Sequence, residues 1–490
     1  MRNNSFFASL RVTRVAVLAL FLAAAVQAQP LKLAHIFSDH MVLQQQADAP
    51  VWGWGVPGKT VTVEGSWGAS ARVRVSDDVS WRVVLPTAAA GTPFTLTVSC
   101  GREKLTVSDV ALGEVWVCSG QSNMEMPMRG FGFQQIDGFR DNLLEAAEYA
   151  DRIRVLNVKS DTTHFVQQDI DFTWTLSDPA VCAETSAVAY LFAKRLTRNL
   201  GVPVGIIVNA WGGSRIEPWM TMEAVEKAGV SPAELAEIKA LHETAGLYPN
   251  GVATCWNGRM APLAGYAAKG FLWYQGCSNI GQACYDKLQC AMVKLWRDAW
   301  GVGEEMPFIF ALLAPYDHSK AEGRWRPDFV RTQMNAAAIT PNSFAVSLET
   351  LGEEFTIHPP HKQEVADMMA LRALASAYGL QVGMPIDYPE PRSIEYLEDG
   401  RVKILFTNVW SNLQCISARK IVGFELAGDD RVFHLADAEV DWDGQTVYVR
   451  CPEVPRPVAV RYSFRNWMGA DLQTSYGIPV PPFRTDDWPL

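Results

Sequence analysis

Between residues 113 and about 383, short strands that are apolar along their whole length alternate with amphipathic helical stretches. This pattern constrains the fold more than any other feature of the chain. Residues 206–209 (IIVN), 270–274 (GFLWY) and 308–313 (FIFALL) lack the polar-apolar alternation of a half-exposed strand, whereas 186–200, 285–299 and 362–378 carry apolar residues at helical spacing. A strand that is apolar on both faces needs cover on both faces, so an α/β fold is expected, with a parallel sheet flanked by helices. In open sheets of this kind ligands bind in the crevice beyond the carboxyl ends of the strands. The turns that follow these strands are therefore the places to look for chemistry.

The flanking segments read differently. From 29 to 112 the runs are short and alternating (VWGWG at 51–55, TVTVE at 60–64, FTLTV at 94–98) and are broken by Gly, Pro and Asp. From 384 to 490 the same pattern returns (VKILF at 402–406, RVFHL at 431–435, VYVR at 447–450). Each flank is expected to form a β-sandwich-like module. Trp52 and Trp54 read as core residues rather than as sugar platforms, because alternating aromatics on short strands usually face the other sheet.

At the start, Arg2, Arg11 and Arg14 precede or flank an apolar run at 15–26 that ends in VQA. Residues 1–28 therefore read as a secretory signal peptide, which makes the mature chain secreted or periplasmic. The run is too short to span a bilayer and no later segment is long enough, so no membrane attachment is expected after cleavage. A formal charge of −10, with no basic run, argues against a nucleic-acid partner. The nine cysteines are an odd number, so at least one thiol stays unpaired. None shows zinc spacing, and neither a metal nor a cofactor is expected.

Four turns carry the chemistry. The apolar run ending at Ser119 stops in GQSN, which leaves Ser122 at a strand end as a candidate nucleophile. The strand at 206–209 leads into AWGGS at 210–214, where Gly212 and Gly213 let backbone N–H groups approach a ligand. The strand at 270–274 leads into QGCSN at 275–279, which offers side-chain amides. IHPPH at 357–361 places His358 in a loop just before a helix.

Serine, backbone amide, asparagine and histidine in this order resemble the four blocks of the SGNH (GDSL-like) hydrolases. The resemblance is closer to one branch, the sialate O-acetylesterases and related carbohydrate acetylesterases. It is carried by SGQSNM at 119–124, AWGGS at 210–214 with Glu217 and Trp219, NGRMAPL at 257–263, WYQG at 273–276 with Asn279, and IHP at 357–359 with Lys362. It covers nearly the whole mature chain. The resemblance implies an SGNH-type sheet and a Ser–His esterase acting on an acetylated carbohydrate. Ser122 would be the nucleophile and His358 the base, with an oxyanion held by the amide of Ser122, the Gly212–Gly213 turn and Asn279. Gln121, Asn123, Trp211 and Gln275 are candidate substrate contacts.

The chain departs from the family pattern at the acid. Relatives usually carry Glu after WYQG and Asp two residues before the histidine; here Cys277 and Thr356 stand there, and the superfamily's other acid position is Phe355. Several readings stay open: Glu353 or Glu354 substitutes for the acid, with Glu349 a more distant carboxylate; a backbone carbonyl orients a Ser–His dyad; or the crevice binds a glycan without cutting it. A lipase-like acyl hydrolase on the same scaffold is a further rival. Cys277 reads as an inert buried thiol, because nothing basic is adjacent to it in sequence.

Overall fold

The computed structural model describes residues 30–490 apart from 160, 247–249, 318–322 and 418–419. The leader expected at 1–28 lies outside the described residues. Seven strands form the central sheet, in the order Trp174–Leu176, Ile153–Asn157, Val204–Ala210, Glu103–Gly120, Gly270–Tyr274, Phe308–Ala311 and Ser343–Val346. All neighbouring pairs run parallel except the edge pair of Trp174–Leu176 with Ile153–Asn157. Every residue of Val204–Ala210 and Gly270–Tyr274 is buried, as the apolar runs require.

Side chains alternate between two cores. Trp116, Cys118, Ile206, Leu272 and Ile309 pack on one face with the helices Ala187–Leu200 and Lys362–Tyr378. Val115, Val117, Phe271, Trp273 and Phe308 pack on the other, where the helices Tyr285–Trp300 and Trp325–Ile339 lie. Local signals fix the helix ends. The Ser186 hydroxyl accepts the Ala189 N–H, and Gly201 closes Ala187–Leu200 in the left-handed region.

The strand Glu103–Gly120 belongs to two structures at once. Its first half pairs antiparallel with Gly91–Cys100 in the N-terminal module, and its second half lies at the centre of the parallel sheet. The expected division at 112/113 thus falls inside one continuous strand. At the other end of the chain, two four-stranded antiparallel sheets enclose a core that includes Ile404, Phe406, Phe424, Val449 and Tyr462. This module is joined to the central domain by Arg326, whose guanidinium donates to Glu349 at 2.9 and 2.8 Å and also to the carbonyls of Ser463 and Arg465. Glu349, the distant carboxylate of the sequence reading, is spent on this pair.

Candidate active site

The turn that carries Ser122 is shaped by close backbone approach. Gly120 ends its strand at φ 142°, and a Cβ there would stand 2.3 Å from the carbonyl oxygen of Tyr274, so only glycine fits. The chain then turns into the four-residue helix Ser122–Glu125. The first N–H groups of any helix lack intrahelical partners, so those of Ser122 and Asn123 point out of this turn as donors.

Ser122 and His358 are brought together although 236 residues separate them: Ser122 Oγ lies 2.8 Å from Nε2 of His358. The loop holding His358 is fastened to the nucleophile helix by Asn123, which donates to the Ile357 carbonyl at 2.9 Å and accepts from Lys362 Nζ at 2.6 Å. The edge of Phe131 packs on the imidazole with ring centroids 5.3 Å apart.

On the other ring nitrogen stands a neutral amide. Nδ1 of His358 is 3.0 Å from Oε1 of Gln134, and Gln134 Nε2 donates to Thr356 Oγ1 at 3.2 Å. Thr356 Oγ1 also accepts the His358 N–H at 3.1 Å. Because the threonine hydroxyl takes the amide N–H, the glutamine oxygen is turned to the ring. Nδ1 then carries the proton and donates, and Nε2 is left to accept from Ser122. Thr356 thus serves the histidine by holding a glutamine.

Neither carboxylate considered as a substitute acid fills this position. Glu353 accepts from His361 Nε2 at 3.1 Å, and the two ring nitrogens of His358 meet Gln134 and Ser122 rather than Glu354. Gln134 gave no sequence signal, since it lies in a short loop 224 residues from the histidine.

The other candidate residues divide. Gly212 sits beside the nucleophile, but its N–H donates to Glu125 Oε2 at 2.7 Å. Gly213, at φ 72°, is exposed in the same turn. Trp211 is half-buried with the Arg259 guanidinium 4.8 Å from its ring centroid.

Asn279 is fully buried, and its amide hydrogens go to Glu217 and Gln282 while its oxygen accepts from Ile216 N and Gln275. Both donors are already committed, so the structure does not present Asn279 to an oxyanion at Ser122. Gln275 is likewise spent on Ser214, Asn279 and Tyr285, and Gln121 accepts the Gly276 N–H. These amides fasten the crevice turns to one another. A polar group sealed from water must be paired, and sequence alone cannot separate that use from ligand contact.

Electrostatics follow from burial. Burial, and then the Lys362 charge, lower the His358 imidazole to about 4. Burial lowers Lys362 itself to about 7, against a raising effect of Cys277. Burial pushes the Cys277 thiol up to about 12, far from a thiolate at neutral pH. Partial desolvation raises Glu125, which keeps an exposed face, against the lowering effects of the Gly212 N–H and Arg259. Among the described residues no group of His, Cys, Asp and Glu is placed to hold a metal ion, and no helix is long and apolar enough to cross a membrane.

A parallel sheet with a serine at a strand end and a histidine on its hydroxyl is the arrangement of a serine hydrolase. The comparisons narrow the class: residues 112–375 match the family model described as carbohydrate esterase, sialic acid-specific acetylesterase. The chain belongs to this family. It is 28% identical to the sialate O-acetylesterase of Homo sapiens, over 92% of each chain, and 27% identical to that of Mus musculus, over 92% of this chain and 94% of the mouse protein. A crystal structure of a carbohydrate acetylesterase from Xanthomonas citri superposes with a TM-score of 0.82 at 31% identity, covering 94% of this chain and all of that one.

Proposed function

We propose that this chain is an exported carbohydrate O-acetylesterase that uses a Ser122–His358 pair oriented by Gln134. The contact of 2.8 Å between Ser122 Oγ and His358 Nε2 carries the reading. Ser122 attacks the acetyl carbonyl while Nε2 takes its proton, and the same nitrogen returns that proton to the sugar oxygen as the ester bond breaks. Water, deprotonated by His358 in turn, then releases acetate from Ser122. The negative oxygen formed at each addition faces the Ser122 N–H and the Gly213 side of the Gly212–Gly213 turn, the Gly212 N–H being held by Glu125. Gln134 fixes the ring and its tautomer but brings no negative charge to an imidazolium.

The purified mature protein should release acetate from an aryl acetate and from an acetylated sugar, and Ser122→Ala should abolish both. Release that survives this substitution rejects the mechanism. The export reading rests on the residues at 1–28, and amino-terminal sequencing of the secreted or periplasmic protein should find the chain starting just after Ala28. One observation favours a second reading, a glycan-binding protein without turnover: the amide of Gln134 stands where a working triad has a carboxylate. Wild-type protein that binds acetylated sugar but releases no acetate would establish it.

A further inference from the structure

Glu125 has no part in the mechanism above, yet it stands at the nucleophile. A Cβ built on Gly212 would meet Glu125 Oε2 at 2.7 Å and Ser122 Cβ at 3.5 Å, so the carboxylate and the serine border the same small space. Glu125 is exposed, and among the described residues its carboxylate accepts from the Gly212 N–H at 2.7 Å. The neighbouring cations are engaged by other groups. Arg259 is buried and donates to the carbonyls of Val158 and Ala210 and to Asn209 Oδ1, with its guanidinium over the Trp211 ring. Lys362 is fully buried on Asn123. Arg215 is held by Glu217, Gln282 and the Ser278 carbonyl. Two more carboxylates, Asp137 at 2.8 Å and Glu353 at 3.1 Å, flank His361, three residues from His358.

Among the described residues the guanidinium groups near this anionic mouth are already held by other partners, so it offers little to a sugar that carries its own carboxylate, and repels it. We infer that Glu125 is a specificity-determining residue: it accepts a hydroxyl of an uncharged acetylated sugar and excludes sugars bearing a carboxylate. This inference rests on the acetylesterase reading and goes beyond it in naming the charge of the substrate. Rejection of this kind works through an unfavourable contact with the wrong ligand rather than a better one with the right ligand.

The test uses one sugar in two charge states, O-acetylated N-acetylneuraminic acid and its C1 primary amide. Affinity is measured by calorimetry on Ser122→Ala and on Ser122→Ala/Glu125→Gln, and acetate release on the wild type and Glu125→Gln. The amide should bind Ser122→Ala at least about tenfold more tightly than the acid, the range expected for like charges at a partly solvated site, and the ratio should fall to within about threefold once Glu125 is neutral. Equal affinity for the two forms, a preference for the acid, or a ratio unchanged by Glu125→Gln overturns the inference. The binding ratio is read without turnover, so a charge filter without acetate release would sink the esterase reading alone, and acetate release without a filter would sink this one alone.

Discussion

Gln134 supplies half of what a triad acid supplies. An acceptor on Nδ1 fixes the ring and leaves Nε2 free for Ser122, whereas stabilising the imidazolium takes negative charge, and an amide has none. Gln134→Glu should therefore raise kcat by about tenfold or more, within the range spanned by positioned acid–base groups; a kcat that stays level would show that orientation alone suffices here. The same residues set the pH profile. With His358 lowered to about 4 by burial and the Lys362 charge, the imidazole is a free base above that pH. The acid limb of kcat/KM should fall near pH 4 rather than near the ordinary histidine value of about 6.5. Lys362→Met removes the nearby positive charge and should move that limb upward in a pH-rate series; a limb already near 6.5 in the wild type would refute the electrostatic description.

At the scale of elements, backbone approach decides more than side-chain contact. Gly120 adopts φ 142° with the Tyr274 carbonyl where a Cβ would stand. Gly120→Ala should destabilise by about 2 kcal/mol or more, measured by urea denaturation, and should cost activity beyond that loss by shifting Ser122 from His358. The elements themselves were legible. The helix expected at 362–378 is Lys362–Tyr378 and the strand expected at 270–274 is Gly270–Tyr274, because apolar period and flanking turns are local properties. The meeting of Ser122 with His358 was legible through the order of the motifs. The amide on Nδ1 was not, since Gln134 reaches its place only through the path of a loop. The burial of Asn279 and Gln275 escaped for a related reason: a buried amide serving its neighbours and one facing a ligand look alike in sequence.

For the whole molecule, the C-terminal module rests its Ser463 and Arg465 carbonyls on a sealed ion pair of the central domain. The side chains of Arg326 and Glu349 are 0% and 2% exposed, so removing one partner strands a charge. Arg326→Met should cost about 3–5 kcal/mol in chemical denaturation, whereas Arg326→Met combined with Glu349→Leu should recover most of that loss. Equal loss in the single and double variants would assign the cost to packing instead. The opposite flank is attached in another way. Because Glu103–Gly120 passes unbroken from the N-terminal sheet to the turn that presents Ser122, one strand links the outer β-layer to that serine. A ligand or neighbour that tilts the outer β-layer would re-aim the serine hydroxyl without touching the crevice.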